Sequence, residues 1–348
     1  MARRNLLYPW AISLVVALIY VGIILASHVW NPLALTADYD GQFCYYIALN
    51  PIDAWKDIDV PSYRYQRILY PLLSRLIVFG NLHLIPWSLL FVNLAALALG
   101  TYLTEKLLEH FGVGPSYAIV YGLYAGLLFA VRLDLNEPLA QALTQGGIYA
   151  YEKKRGFWGA LLFGMATLTK ETGALFIAGY ALAFLLIGQK KRLGELIFLA
   201  FGPFALYQLF LKWWLGDFGI GSGGAGATSF TIIPFGGLLE VGSAGLKVMA
   251  LWLAILGPFL LAPLIVLLFS SLNYFARGGR HPIAFCLVMN ALALVFLPFS
   301  TYREFLAMWR ITVGFMASTL LYGALLKERR ILRYSLLWLA LLVFLFKE

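Results

Sequence analysis

Apolar runs of about 17–25 residues recur along the whole chain, separated by short polar turns, and each is long enough to cross a hydrocarbon core of about 30 Å as a helix. That pattern restricts the fold severely. Inside a bilayer every backbone N–H and C=O must be satisfied within the chain, so only helices and closed barrels span it, and none of these runs alternates with the period of a barrel strand. Hydrophobic residues make up 61% of the 348 and charged residues only 12%, against roughly 45–50% and about 25% in soluble domains. The chain therefore reads as all-α, a polytopic transmembrane helical bundle forming one domain over 1–348. Spans are expected at 9–27, 84–104, 116–131, 138–151, 157–169, 172–188, 194–214, 247–270, 282–299, 305–325 and 331–346, about eleven crossings. The first is read as a retained helix, because no small-residue cleavage site follows it.

Alternate turns are basic. Arg3-Arg4, Lys106, Lys153-Lys154-Arg155, Lys190-Lys191-Arg192, Arg277, Arg280 and Lys327, Arg329, Arg330, Arg333 fall on one side of this threading, while most of the acids fall on the other. The positive-inside rule then predicts a multi-pass protein of the cell membrane with a cytoplasmic N-terminus. It also explains the net charge of +9, so nucleic acid is not an expected partner; the lipid bilayer is. Cys44 and Cys286 are the only cysteines and are read as small apolar filler. Spans 138–151 and 157–169 are short for a bilayer and leave room for a cavity. Residues 28–83 form a first outer loop, with a charge-bearing segment 67–80 that suits an interfacial helix. Residues 215–246 form a second outer loop, flexible through the glycine-rich stretch 219–226. No internal repeat is apparent.

The polar stretch from Thr36 to Arg67 stands out in so apolar a chain. The same outer side carries Asp38, Asp40, Arg64, Arg67, Arg132, Asp134, Glu137, Lys170, Glu171, Arg303, Glu304 and Arg310. Ionisable groups at or inside span ends cost desolvation and point to function. Arg and Lys there can hold an anionic head group such as a phosphate, and acids can accept a proton from a hydroxyl nucleophile. Plainer roles exist for each. Asp38 or Asp40 can cap a short helix; Arg64 and Arg67 share a helix face and can snorkel to lipid head groups. Lys170 and Glu171 can form an ordinary turn. Arg303 and Arg310, seven apart, fall on one helix face and can pair with Glu304 or Glu171; Arg132, Asp134 and Glu137 can form a loop network. His28, His83, His110 and His281 lack metal-ligand spacing.

The order Asp38-Tyr39-Asp40-Gly41 with aromatics and Ile-Ala after it, then Arg67-Ile68-Leu69-Tyr70-Pro71-Leu72-Leu73, then Leu168-Thr169-Lys170-Glu171-Thr172-Gly173, resembles the multi-span glycosyltransferases of the GT-C superfamily. The smaller prokaryotic members and the PIG-V and PIG-M type mannosyltransferases are the most similar. The likeness covers most of the chain in hydropathy, but its specific motifs occupy three short segments. It implies a hexosyl- or pentosyltransferase that uses a polyprenyl-phosphate-linked sugar as donor and a glycan, lipid or protein hydroxyl as acceptor, at the extracytoplasmic face. Asp40 resembles the family's catalytic acid and Asp38 its companion, with the sugar inverted by direct displacement. The leaving phosphate gathers charge in the transition state, so Lys170, Arg303 and Arg310, with Arg67 and Arg64, are its expected partners, and Glu171, Glu304, Tyr45 and Glu137 support them. No large soluble domain like that of the oligosaccharyltransferase branch is present, so peptide glycosylation is not expected. No cofactor is required if these cations neutralise the phosphate; the acidic pair leaves a divalent ion open. The rival readings are a transporter or flippase of a lipid-linked or anionic substrate, and a scaffold. Against transport, neither symmetric repeats nor broken helices are visible.

Overall fold

A computed structural model describes residues 8–36 and 39–346. Among them all regular structure is helical, with no strand. Five helices are long and apolar enough to cross a membrane: Pro9–Ser27, Leu82–His110, Lys190–Leu215, Leu246–Ala276 and Phe305–Leu325. Gly156–Thr169, Glu171–Leu186 and Pro282–Val295 are apolar but shorter. The expected eleven crossings thus become five helices that qualify by length and composition.

The elements that build the site are α1 (Pro9–Ser27), α2 (Gly41–Leu49), α3 (Pro61–Tyr65), α4 (Leu69–Ile77), α5 (Ile85–His110), α6 (Ala125–Arg132), α7 (Glu137–Glu152), α8 (Gly156–Thr169) and α9 (Ala174–Leu186). After them come α10 (Lys190–Leu215), α11 (Leu246–Ala276), α12 (Pro282–Val295), α13 (Phe299–Arg303) and α14 (Phe305–Leu325). Apolar side chains on the long helices face outward, among them Phe198, Leu206, Val266 and Phe269. Such a surface is compatible with a bilayer and costly in water. By contrast α7 is buried over nearly its whole length and packs against α5 and α8.

Several expected continuous spans are broken. The run 116–131 is a short turn and helix, then α6, separated at Leu123-Tyr124, where Tyr124 is extended. Helices α10 and α11 each contain a π turn, at Ile197–Phe201 and Gly257–Leu261. Glu304 is extended, with φ −100° and ψ 118°, and divides α13 from α14. The expectation of unbroken helices is therefore corrected. Hydropathy cannot see such breaks, because the residues on both sides remain apolar.

Segment 67–80 does fold as a short amphipathic helix, α4, with Tyr70, Pro71 and Ser74 buried and Leu72 and Leu76 exposed. The charge in its middle has a definite task. Arg75 Nη1 donates to the carbonyls of Ala48 and Leu49 at 2.8 and 2.6 Å, satisfying the C-terminal end of α2.

Candidate functional site: a charged cluster where helices end

The charged side chains meet because helices start, stop or break at one end of the bundle. Asp40 occupies the N-cap position of α2, yet its side chain makes no capping hydrogen bond. Its Oδ1 instead lies 2.9 Å from Arg64 Nη1, and its Oδ2 3.8 Å from Arg310 Nη2. The plain capping role is therefore not what this carboxylate does. The residue after it must be glycine: a Cβ on Gly41 would sit 2.1 Å from the carbonyl oxygen of Leu133. The close approach sets the start of α2 against the turn between α6 and α7.

Arg64 and Arg67 are buried, 7% and 8% exposed, so a lipid-snorkelling role is corrected for both. Arg64 holds Asp59 through two parallel hydrogen bonds, Nε to Oδ1 at 2.7 Å and Nη2 to Oδ2 at 2.8 Å, and stacks 4.0 Å over the Phe43 ring. Arg67 donates from Nε to Glu171 Oε2 at 2.8 Å and from Nη2 to the Tyr63 hydroxyl at 2.6 Å. A fork of this kind suits two oxygens of a carboxylate or a phosphate.

Glu137 stands at the first turn of α7, where an anion is favoured by the helix dipole. Its Oε1 accepts from Lys170 Nζ at 2.6 Å and from Arg310 Nε at 2.7 Å, all three side chains being less than a tenth exposed. Lys170 reaches it because the backbone there is extended, between the end of α8 and the turn Glu171–Gly173. The adjacent Lys170 and Glu171 thus point to different partners, Glu137 and Arg67. Asn136 ties three elements together: its Nδ2 donates to the Thr169 carbonyl at 3.0 Å, and its Oδ1 accepts from Cys44 Sγ at 3.1 Å. Cys44 is therefore more than filler. Four cations (Arg64, Arg67, Lys170, Arg310) face four carboxylates (Asp40, Asp59, Glu137, Glu171), so the cluster is charge-balanced.

Three expected members lie elsewhere. Arg303 is exposed, resting 5.6 Å from the Phe299 ring, and the break at Glu304 removes the helix face it was to share with Arg310. Glu304 is also exposed and accepts a hydrogen bond from the Tyr39 hydroxyl, outside the ion pairs. Tyr45 pairs with the Tyr46 ring and packs against an apolar group around Tyr70 and Leu89, since Phe43, Cys44 and Ile47 are the α2 residues that face the cleft. Asp38 falls outside the described residues.

Other members were not anticipated. Asp59, Tyr63 and Asn136 belong to the cluster, and only the five-residue separation of Asp59 from Arg64 hints at it. Tyr39 lies 5.0 Å from the Arg310 guanidinium, its ring beneath the charge. Asp134, at a positive φ of 50° in the turn before α7, is fully buried with no hydrogen-bond partner for either oxygen. Burial pushes its carboxyl well above the ordinary range. The glycine-rich segment is not slack: Ala225 N–H donates to Asp59 Oδ2 at 3.0 Å, and a Cβ on Gly219 would sit 2.7 Å from the Ser62 carbonyl. Partial burial pushes the Asp59 carboxyl up, but hydrogen bonds from Arg64, Ala225 and Val60 outweigh it and hold the group at about 2.

Between Asp40, Arg64, Arg67, Asn136 and Arg310 lies a narrow cleft of about 10 Å³, room for one water molecule. Among the described residues no trio of His, Cys, Asp or Glu is arranged to hold a metal ion. Comparison of the chain with protein-family models, curated proteins and solved structures finds no match.

Proposed function

We propose that the protein is a membrane glycosyltransferase of the GT-C type that moves a hexose or pentose from a polyprenyl-phosphate donor to an acceptor hydroxyl on the extracytoplasmic side. One observation carries this reading. Asp40, the acid the GT-C resemblance singles out, is the most open carboxylate of the cluster, 31% exposed against 26%, 20% and 3% for Glu171, Asp59 and Glu137. It sits at the mouth of a group of buried cations, as proton acceptance beside an anionic leaving group requires.

In the proposed reaction the acceptor oxygen attacks the anomeric carbon, the carbon–oxygen bond to the phosphate breaks, and the acceptor proton passes to Asp40. Lys170, Arg310, Arg67 and Arg64 are the groups that stabilise the departing phosphate; Arg303 is no longer among them. Cations fixed in place before reaction act mainly on the transition state. The narrowness of the cleft means that the donor must part the ion pairs on entry, with phosphate oxygens taking the place of Glu137 or Glu171 on the guanidinium forks. The side of the membrane follows from the charge asymmetry of the turns.

Helices that break beside the cluster, at Lys170 and Glu304, are also a feature of transporters. Reconstitution with a polyprenyl-phosphate sugar separates the two readings. A transferase releases polyprenyl phosphate and glycosylates the acceptor, and Asp40→Asn lowers that turnover by about 10²–10⁴-fold while donor binding persists. Sugar lipid moved unchanged between leaflets means transport, and wild-type turnover by Asp40→Asn refutes the base assignment. Turnover that survives exhaustive chelation places the phosphate's neutralisation on the cations alone.

A further inference from the structure

A far larger cavity than the narrow cleft lies away from the charged cluster. It is a groove of about 860 Å³, open at one side, walled by α4, α5, α7 and α8. That volume lies within the range of about 300–1,000 Å³ usual for organic ligands. Its walls are almost wholly apolar, with Phe91, Ala95, Leu99 and Leu143 along its length. From Leu139 to Lys153 it follows α7 for about 21 Å, at the helical rise of about 1.5 Å per residue, the reach of an extended acyl chain.

The polar end of the groove is cationic. Lys153 and Arg155 line it beside Tyr149 and Trp158, at the end of α7 opposite Glu137. Both cations are exposed, and Lys153 lies 5.4 Å from the Tyr149 ring. Neither has a carboxylate within ion-pair distance among the described residues. The neighbouring acid, Glu152, lies between His110 and His281 at 3.4 and 3.6 Å. Glu195, which packs against Gly156, makes no ion pair with either cation. None of Arg64, Arg67, Lys170 and Arg310 lines the groove. The cations that line the groove, Lys153 and Arg155, thus stand at its end away from the charged cluster.

We infer that the groove is a binding site for an anionic glycerophospholipid, its acyl chain lying along α5 and α7 and its phosphate held by Lys153 and Arg155. The chain covers apolar surface between α4 and α8 that is otherwise open, and the phosphate supplies the missing counter-charge. Trp158, more than half exposed, stands at head-group level, where indole rings prefer to lie. The site is independent of the proposed transfer chemistry and stands or falls without it.

The test uses the full-length protein in mixed phosphatidylglycerol and phosphatidylcholine nanodiscs, with retained lipid counted by native mass spectrometry after transfer to detergent. The wild type is expected to retain phosphatidylglycerol over phosphatidylcholine by about 30-fold, the factor two basic contacts supply at a bilayer surface. Lys153→Gln/Arg155→Gln brings the two lipids to parity, whereas Lys190→Gln/Lys191→Gln, in a basic turn that does not line the groove, leaves the preference intact. Gly146→Leu, which fills the groove wall opposite Leu162, lowers retention of both lipids. The inference is overturned if the wild type shows no preference, if the Lys153/Arg155 variant keeps it, or if polyprenyl phosphate outcompetes phosphatidylglycerol in the wild type. Melting temperatures of the Lys153→Gln/Arg155→Gln and Lys190→Gln/Lys191→Gln variants equal to that of the wild type exclude misfolding, since the substituted cations are exposed.

Discussion

Replacing Glu137 by Gln tests the charged cluster most directly. One carboxylate oxygen holds two buried cations, at 2.6 and 2.7 Å. At an effective dielectric constant of about 20, each contact represents about 6 kcal/mol of gross attraction, most of it offset by desolvation of the partners. The amide keeps the shape but not the charge, so the balanced cluster becomes +1: Lys170 loses its carboxylate partner and Arg310 keeps only the longer, 3.8 Å contact to Asp40. Removing one partner of a buried pair costs about 3–5 kcal/mol, which lowers the thermal midpoint in detergent by about 4–7 °C. Removing Lys170 as well restores neutrality. The double variant Glu137→Gln/Lys170→Met is therefore expected to be more stable than additivity allows, with a coupling of about 2 kcal/mol within the usual range of about 0.5–3 for contacting residues. Tryptophan fluorescence or circular dichroism on the wild type, both single variants and the double variant gives the full cycle. A single-variant loss below about 0.5 kcal/mol, or additivity within that margin, would refute the view that these ions compensate one another in a poorly solvated place.

Gly41→Ala forces a methyl group into the Leu133 carbonyl; stability should fall by about 1–3 kcal/mol or more, with turnover, while Gly22→Ala, whose Cβ meets nothing within 4 Å, leaves both unchanged in the same assays. Arg303→Ala should shift stability by no more than about 0.5 kcal/mol and leave transfer intact, whereas Arg310→Gln abolishes it; equal losses in the reconstituted assay would return Arg303 to the site. The Asp59 carboxyl is held at about 2, below its ordinary value of about 3.9, so its grip on the glycine-rich segment is fully present above about pH 4 and lost as pH falls through 2. Pepsin should then cut between residues 216 and 230 only near pH 2 in the wild type but already at pH 4 in Asp59→Asn, and early cutting of the wild type would contradict the clamp.

Helix α1 could be read from the sequence to the residue, because an unbroken apolar run between Pro9 and Ser27 leaves little choice. The short helix α4, within the segment 67–80, was also legible from charge and length. The break at Glu304 was not, since an adjacent Arg-Glu pair within an apolar run is compatible with a continuous helix, and the face shared by Arg303 and Arg310 disappeared with it. The acids and bases of the site could be gathered by the sidedness of the turns, but not paired. Lys170 meets Glu137 across 33 residues, Arg67 meets Glu171 across 104, and Arg310 meets Glu137 across 173. Pairing at that range depends on how α7 packs among its neighbours, on which local patterns are silent. Arg64 and Arg67 looked suited to lipid head groups for the same reason: their partners, Asp59 and Glu171, are fixed only once α3 and the turn after α8 are in place.

The grip of Arg75 on the last carbonyls of α2 makes that helix a lever. Its far end carries Asp40, nine residues or about 13 Å away at the rise of about 1.5 Å per residue. Helix α4, which supplies Arg75, also forms one wall of the open groove. A tilt of only about 5° in α2 moves its first turn by roughly 1 Å, a misplacement that would cost the proposed transfer about 10²-fold in rate. A displacement of α4 would reach the Asp40 carboxylate through this contact and the rigid helix between.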